Sequence, residues 1–209
     1  MEKRKGLITL GGFTASLLLL LLVCNLYSGG SWFLMAGVSV LFGLCVVFLP
    51  LVLANVWLPA ALASHKALLC MAADTLLLFV VLMIASWYTR GGWFWSQGLP
   101  LAAFWLTIPW GMLLLIRYAR INGFFKTAAC LGLTDLVFFL SVGVTSVIMT
   151  GQPMHLGYKF DFTNWNTVET LDGNLRMLIT LALLGLALAF AAAGIVAALR
   201  KNENKATSA

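Results

Sequence analysis

The sequence predicts an all-α integral membrane protein with six transmembrane helices, arranged as three tandem parallel helical hairpins. Of its 209 residues, 62% are hydrophobic and 10% are charged, and the mean hydropathy is +0.98. A soluble domain has about 45–50% apolar and about 25% charged residues. So few charges cannot cover a water-facing surface, and the composition therefore excludes the soluble globular and disordered classes.

Six apolar runs are long enough to cross a bilayer, which requires about 20 predominantly apolar residues. They are Gly6–Tyr27, Trp32–Leu53, Ala67–Tyr88, Leu99–Tyr118, Thr127–Thr150 and Leu175–Leu199. None alternates polar and apolar residues, as the strands of a membrane barrel would. The first run exceeds the apolar region of about 7–15 residues found in signal peptides, so we interpret it as a retained helix.

The distribution of basic residues predicts how the chain is oriented in a cell membrane. With the N-terminus inside, ten of the thirteen lysines and arginines lie in cytoplasmic segments, and the outer segments contain only Arg90, Lys159 and Arg176. Basic residues favour the cytoplasmic side, so both termini are predicted to be cytoplasmic. The basic residues behind the net charge of +6 are then those that orient the chain in the membrane. The predicted partner is the lipid bilayer, with no role for nucleic acid.

An internal repeat defines the predicted domain organisation. Tyr27 and Trp32 recur as Tyr88 and Trp93, each 61 residues later, within matching turns. The predicted single membrane domain therefore consists of hairpins at about 1–61, 62–121 and 122–200, followed by a short polar cytoplasmic tail at 201–209. Parallel repeats of this kind are related by an axis along the membrane normal. The third unit departs from the pattern at its long polar outer loop.

Two aspartates lie well inside the apolar runs, Asp74 in the third and Asp135 in the fifth. An ionised carboxylate at that depth costs about 2.5–3.5 kcal/mol on insertion scales, so both side chains should face the interior of the bundle. They form a candidate intramembrane polar or ion site with the neighbouring Thr75 and Thr134. Either the two carboxyls share a proton, or the threonine hydroxyls satisfy them. The alternative is a purely structural role as neutral hydrogen-bonding acids.

The long outer loop between the fifth and sixth runs contains His155, Asp161 and Glu169, which are candidate ligand residues. Their spacing matches no metal motif, so no metal or cofactor is predicted. An ordered surface loop is the favoured interpretation, and a ligand site stays open as the alternative.

No catalytic signature occurs in the sequence. The four cysteines lie in apolar runs and form no CxxC pair, so we interpret them as packing residues. Nucleophile elbows, zinc-protease motifs and phosphate-binding loops are absent from the sequence as well. The sequence therefore favours a protein that is not an enzyme.

Several short segments resemble the six-helix membrane module of Gram-positive, Firmicutes-type bacteria that is often fused to helix-turn-helix or zinc-ribbon domains. They are Ser31-Trp-Phe-Leu34, Phe48-Leu-Pro50, His65-Lys66 with Cys70 and Asp74-Thr75, Trp93-Phe-Trp95 with Leu99-Pro100, and Phe160-Asp161. The resemblance implies a bacterial, multi-pass protein over nearly the whole chain. That module has no settled activity, and this chain lacks its regulatory domain.

Two functional hypotheses follow. The first is a sensor, anchor or accessory module that acts through a membrane or cytoplasmic protein partner. The second is a small proton- or cation-coupled transporter or channel that uses Asp74 and Asp135.

Overall fold

A computed structural model describes residues 2–55, 64–154 and 159–206 of the chain. Within these ranges the protein has no strand, and six helices are long and apolar enough to cross a membrane. They are α1 (Glu2–Tyr27), α2 (Phe33–Asn55), α3 (Lys66–Tyr88), α4 (Leu99–Arg117), α5 (Gly123–Thr150) and α6 (Val168–Ala206). The predicted fold class, an all-α membrane protein with six spans, is confirmed.

The sixth helix begins seven residues before the predicted run. Its first residue is Val168, whereas the apolar run begins at Leu175. Thr167 explains the earlier start, because its hydroxyl accepts a hydrogen bond from the backbone N–H of Thr170 at 3.3 Å. A threonine in this position satisfies one of the free N–H groups in the first turn of a helix. The helix therefore starts with two polar turns that a search for apolar residues does not detect.

A short π-helical segment, Phe94–Gly98, precedes α4. The backbone N–H of Leu99 donates to the carbonyl of Phe94, five residues earlier, which is the π-type spacing. Pro100 has no N–H group and is accommodated in the first turn of the α-helix that follows. The fourth span therefore runs from Phe94 to Arg117, five residues longer at its N-terminal end than the predicted run.

The chain divides into two compact units, Met1–Ala102 and Ala103–Ala209. In the first unit, α2 packs against both α1 and α3, and in the second, α5 packs against α6. Glycines lie at two of these contacts, with ordinary room for a Cβ atom at the first and little room at the second. A Cβ atom on Gly37 of α2 would lie 3.7 Å from the side chain of Leu18, and one on Gly194 of α6 would lie 3.1 Å from the ring of Phe125.

The turn after α1 and the turn after α3 are built by equivalent hydrogen bonds 61 residues apart. The backbone N–H of Phe33 donates to Oδ1 of Asn25 at 3.0 Å. In the second turn, the N–H of Phe94 donates to Oγ of Ser86 at 3.1 Å. Both acceptor side chains are buried. Different residue types thus perform the same structural role at equivalent positions.

The repeated tryptophans also make equivalent contacts. Nε1 of Trp32 donates to the hydroxyl of Ser28 at 3.2 Å, and Nε1 of Trp93 donates to the hydroxyl of Thr89 at 3.0 Å. These local correspondences support the repeat at the two turns. The division of the whole chain into three parallel hairpins stays a prediction.

Left-handed backbone conformations follow α1, α3 and α5 at intervals of 61 residues. Gly29, Arg90 and Gly151 have φ values of 63°, 52° and 67°. Gly29 and Arg90 lie two residues after the ends of α1 and α3, whereas Gly151 directly follows the end of α5. The first two turns share the same backbone hydrogen bonds, and the turn after α5 shares only the left-handed φ.

Candidate functional site

Asp74 and Asp135 lie in the middle parts of α3 and α5, as the sequence predicts. The side chain of Asp74 is half-buried, and Asp135 is buried, with 8% of its surface exposed. In each carboxyl group, Oδ1 is buried and has no hydrogen-bond partner among the residues that the structure describes. Buried polar atoms are hydrogen-bonded in the large majority of cases, so two unpartnered carboxyl oxygens require an explanation.

The neighbouring threonines direct their hydroxyl protons elsewhere. The Thr75 hydroxyl donates to the carbonyl of Met71 at 2.7 Å, and the Thr134 hydroxyl donates to the carbonyl of Cys130 at 2.9 Å. Both bonds lie within the helix of the threonine itself. These protons are therefore engaged with backbone and do not satisfy Oδ1 of either aspartate.

The surroundings of Asp74 include two thiols of the first unit. Cys45 on α2 and Cys70, one turn earlier on α3, lie near its carboxyl. Both cysteines are free thiols. Asp74 thus belongs to the α2–α3 packing region, in line with the expectation that the aspartates avoid lipid. Cysteine thiols are weak hydrogen-bond donors, so they give a carboxylate little compensation.

The side chain of Arg176 lies at the contact between α5 and α6. The count of basic residues in the sequence had placed Arg176 in an outer segment. Arg176 is in α6, where Nε donates to Oδ2 of Asp172 at 2.9 Å. Its guanidinium lies 5.5 Å from the centroid of the Phe138 ring and 3.5 Å from the hydroxyl of the buried Ser141, both on α5. Ser141 follows Asp135 by six residues, which is roughly 9 Å along the helix. The guanidinium of Arg176 on α6 therefore contacts α5, which is the helix that contains Asp135.

The three candidate residues of the outer loop do not converge on a site within the described part of the chain. His155 lies outside the described residues. Glu169 is in the first turn of α6 and pairs with Lys159 at 3.3 Å, with both side chains largely exposed. In the described ranges, no group of three or more His, Cys, Asp or Glu side chains could hold a metal ion.

Asp161 has a local structural role. Its Oδ1 accepts hydrogen bonds from the backbone N–H of Thr163 at 3.0 Å and from the Thr163 hydroxyl at 2.6 Å. These two bonds hold the pKa of the Asp161 carboxyl below its ordinary value, because they favour the charged form. Asp161 therefore stabilises a turn of the loop.

The residue that organises this loop is Asn174, which the sequence analysis did not identify. Its side chain is fully buried. Oδ1 accepts from the N–H of Asp161 at 2.7 Å, while Nδ2 donates to the carbonyls of Asp161 at 2.7 Å and Asn164 at 3.2 Å. Residues 159–167, which we call the loop cap, thus pack on the start of α6. The one sign of this contact in the sequence is the Gly173-Asn174 pair, which directly precedes the last apolar run.

Gly173 explains how closely the loop cap approaches α6. A Cβ atom at this position would lie 2.4 Å from the carbonyl oxygen of Lys159 and 2.9 Å from its carbonyl carbon. Both neighbours are backbone atoms, which cannot rotate out of the way as a side chain can. Only glycine therefore permits this contact.

Comparison with known proteins yields no match to any family model, curated protein or solved structure. The resemblance to the membrane module of Gram-positive bacteria therefore stays a prediction.

Proposed function

We propose that this multi-pass membrane protein transfers protons or small cations, and that Asp74 and Asp135 are the groups that bind them. The observation that supports this proposal is the buried, unpartnered Oδ1 atom of each carboxyl group. A bound proton removes the carboxylate charge that burial penalises, and a bound cation supplies the partner that the described protein atoms do not. Ionisable residues within membrane spans are costly, and they commonly mark ion or proton pathways.

The test is ion flux into liposomes that contain the purified full-length protein. We expect the wild type to dissipate an imposed proton, sodium or potassium gradient faster than protein-free liposomes do. The double variant Asp74→Asn, Asp135→Asn should reduce that flux to the protein-free level, because asparagine has a similar shape and cannot ionise. Glu169→Gln is the matched control, since it removes a carboxylate that lies in an exposed ion pair.

Equal flux through the wild type and the double asparagine variant would contradict the proposal. Gradients that decay at the protein-free rate with the wild type would contradict it as well. Size-exclusion profiles of all variants show whether a loss of flux reflects a loss of folding.

A second candidate function, that of a sensor or accessory module acting through a protein partner, is favoured by the loop cap. Three aromatic side chains of this segment are exposed, at 51% for Phe160, 44% for Phe162 and 41% for Trp165. Neighbouring ring centroids lie 6.0 Å and 6.4 Å apart. Aromatic residues are enriched in the cores of protein interfaces.

A photo-crosslinker at Phe162 should give one discrete adduct in native membranes, and a probe at the exposed Leu76 should not.

We further propose that both termini are cytoplasmic and that the protein resides in the cell membrane of a bacterium. The excess of basic residues on the side of the termini supports this orientation. Reporter fusions after Asn122 and after Asn202 should both give a cytoplasmic signal. An external signal at either site would contradict the orientation.

A further inference from the structure

A cavity of about 840 Å³ lies in the first unit, at the end of α3 where the chain turns into the π-helical segment. Its lining includes Ser31, Trp87, Tyr88, Arg90, Phe94 and Trp95. Small-molecule sites typically measure about 300–1,000 Å³ and combine apolar walls with a few polar groups. The lining of this cavity combines several aromatic rings with one cationic side chain, and it therefore fits an amphipathic ligand.

The backbone of Arg90 is strained. Its φ value is 52°, which is rare for a residue that has a Cβ atom. Gly29, at the equivalent position 61 residues before it, adopts the same conformation without strain. The turn therefore needs no side chain at this position. A strained residue in a position that glycine can fill is a reason to look for a function of its side chain.

The charge of Arg90 is not neutralised within its surroundings. Among the described residues, the two ion pairs are Lys159–Glu169 and Arg176–Asp172, and neither involves Arg90. The other lining residues are aromatic, apolar or uncharged polar side chains. The cavity thus presents one unpaired guanidinium beside aromatic rings, and its complement is an anion attached to an apolar body.

The position of the cavity identifies the source of that anion. Tyr88 ends one membrane span and Phe94 begins the next, so the intervening residues lie where lipid headgroups meet water. Tryptophan and tyrosine favour this depth. A guanidinium binds a phosphate group through two parallel hydrogen bonds. We propose that this cavity is a binding site for an anionic phospholipid, with the phosphate on Arg90 and the upper acyl chains against Trp87 and Trp95.

The test compares the binding of two lipids to the full-length protein and its variants in detergent. Each lipid is titrated, and native mass spectrometry measures the lipid that the protein retains. We expect phosphatidylglycerol to bind and phosphatidylcholine to bind at least about tenfold more weakly. Arg90→Gly should weaken phosphatidylglycerol binding by about tenfold or more. The same substitution should leave the thermal unfolding midpoint unchanged or raise it, because glycine relieves the strained φ. Arg120→Gly, which removes an exposed arginine from the turn between α4 and α5, should bind like the wild type.

Three results would overturn the proposal. The first is wild-type affinity for phosphatidylglycerol in Arg90→Gly. The second is equal binding of phosphatidylglycerol and phosphatidylcholine. The third is binding of inorganic phosphate alone as tightly as phosphatidylglycerol, which would assign the site to a soluble anion. If Arg90→Gly does not fold, Arg90→Gln removes the charge while keeping a long side chain at the same backbone position. Wild-type binding by Arg90→Gln would then refute the site, and a tenfold loss would support it.

Discussion

Replacing Asn174 with alanine is expected to release the loop cap from α6. The substitution removes three hydrogen bonds and leaves the N–H of Asp161 and the carbonyls of Asp161 and Asn164 without their partner. An unsatisfied buried polar group costs about 1–3 kcal/mol, and water can reach part of this loop, so we expect a loss of about 2–4 kcal/mol in the free energy of unfolding. This is among the largest effects that one side chain of the described structure can have.

Hydrogen–deuterium exchange measures this effect at the loop cap itself. The Asp161 amide should exchange slowly in the wild type and rapidly in Asn174→Ala. Asn174→Asp keeps an acceptor for that amide and loses both donors, so its exchange rate should be intermediate. Asn166→Ala is the matched control, because Asn166 is exposed and the same loop retains its contacts. Equal protection of the Asp161 amide in Asn174→Ala and Asn166→Ala would show that Asn174 does not hold the loop.

The positions of the six spans could be predicted because a bilayer imposes a simple requirement on sequence. Backbone groups in hydrocarbon must be satisfied within the segment, so each crossing needs a long apolar helix. The ends of the helices follow different rules. Thr167 begins α6 by hydrogen bonding, and the π-type bond from Leu99 to Phe94 adds five residues before α4. Such ends depend on individual polar contacts, which a count of apolar residues does not measure.

The roles of Asn25, Ser86 and Asn174 could not be predicted from residue type. Asn25 and Ser86 accept the same backbone hydrogen bond with different side chains, so only their 61-residue spacing relates them. The partners of Asn174 are backbone groups 10 and 13 residues away in sequence. Backbone groups are present in every residue, and the chain must fold before it is clear which of them a side chain meets.

The aspartates were predictable because an ionisable residue in an apolar run is conspicuous. Their hydrogen bonding was not predictable, because Thr75 and Thr134 are close in sequence and yet donate to carbonyls of their own helices. Small hydroxyl side chains in a helix readily form this bond to a preceding carbonyl. Proximity in sequence therefore does not direct these hydroxyl protons to Oδ1 of the carboxyls.

Replacing Asp135 with leucine is expected to stabilise the protein. Oδ1 of Asp135 is buried without a partner among the described residues, and its desolvation is a cost that the folded state bears. An apolar side chain of similar volume removes that cost, so we expect a gain of about 1–3 kcal/mol in the free energy of unfolding, measured by thermal denaturation in detergent. Most substitutions at buried positions destabilise, and a gain is therefore diagnostic of a group that the fold does not need.

The matched control is Asp172→Leu, which removes a carboxylate that pairs with Arg176 at 2.9 Å. That substitution leaves the guanidinium without its ion-pair partner, so it should not stabilise the protein. Asp135→Leu should also reduce ion flux to the protein-free level, since stability gained at a functional site is commonly accompanied by loss of activity. A lower denaturation midpoint in Asp135→Leu than in the wild type would mean that the carboxyl makes a stabilising interaction in the folded protein. The structural interpretation of Asp135 would then replace the functional one.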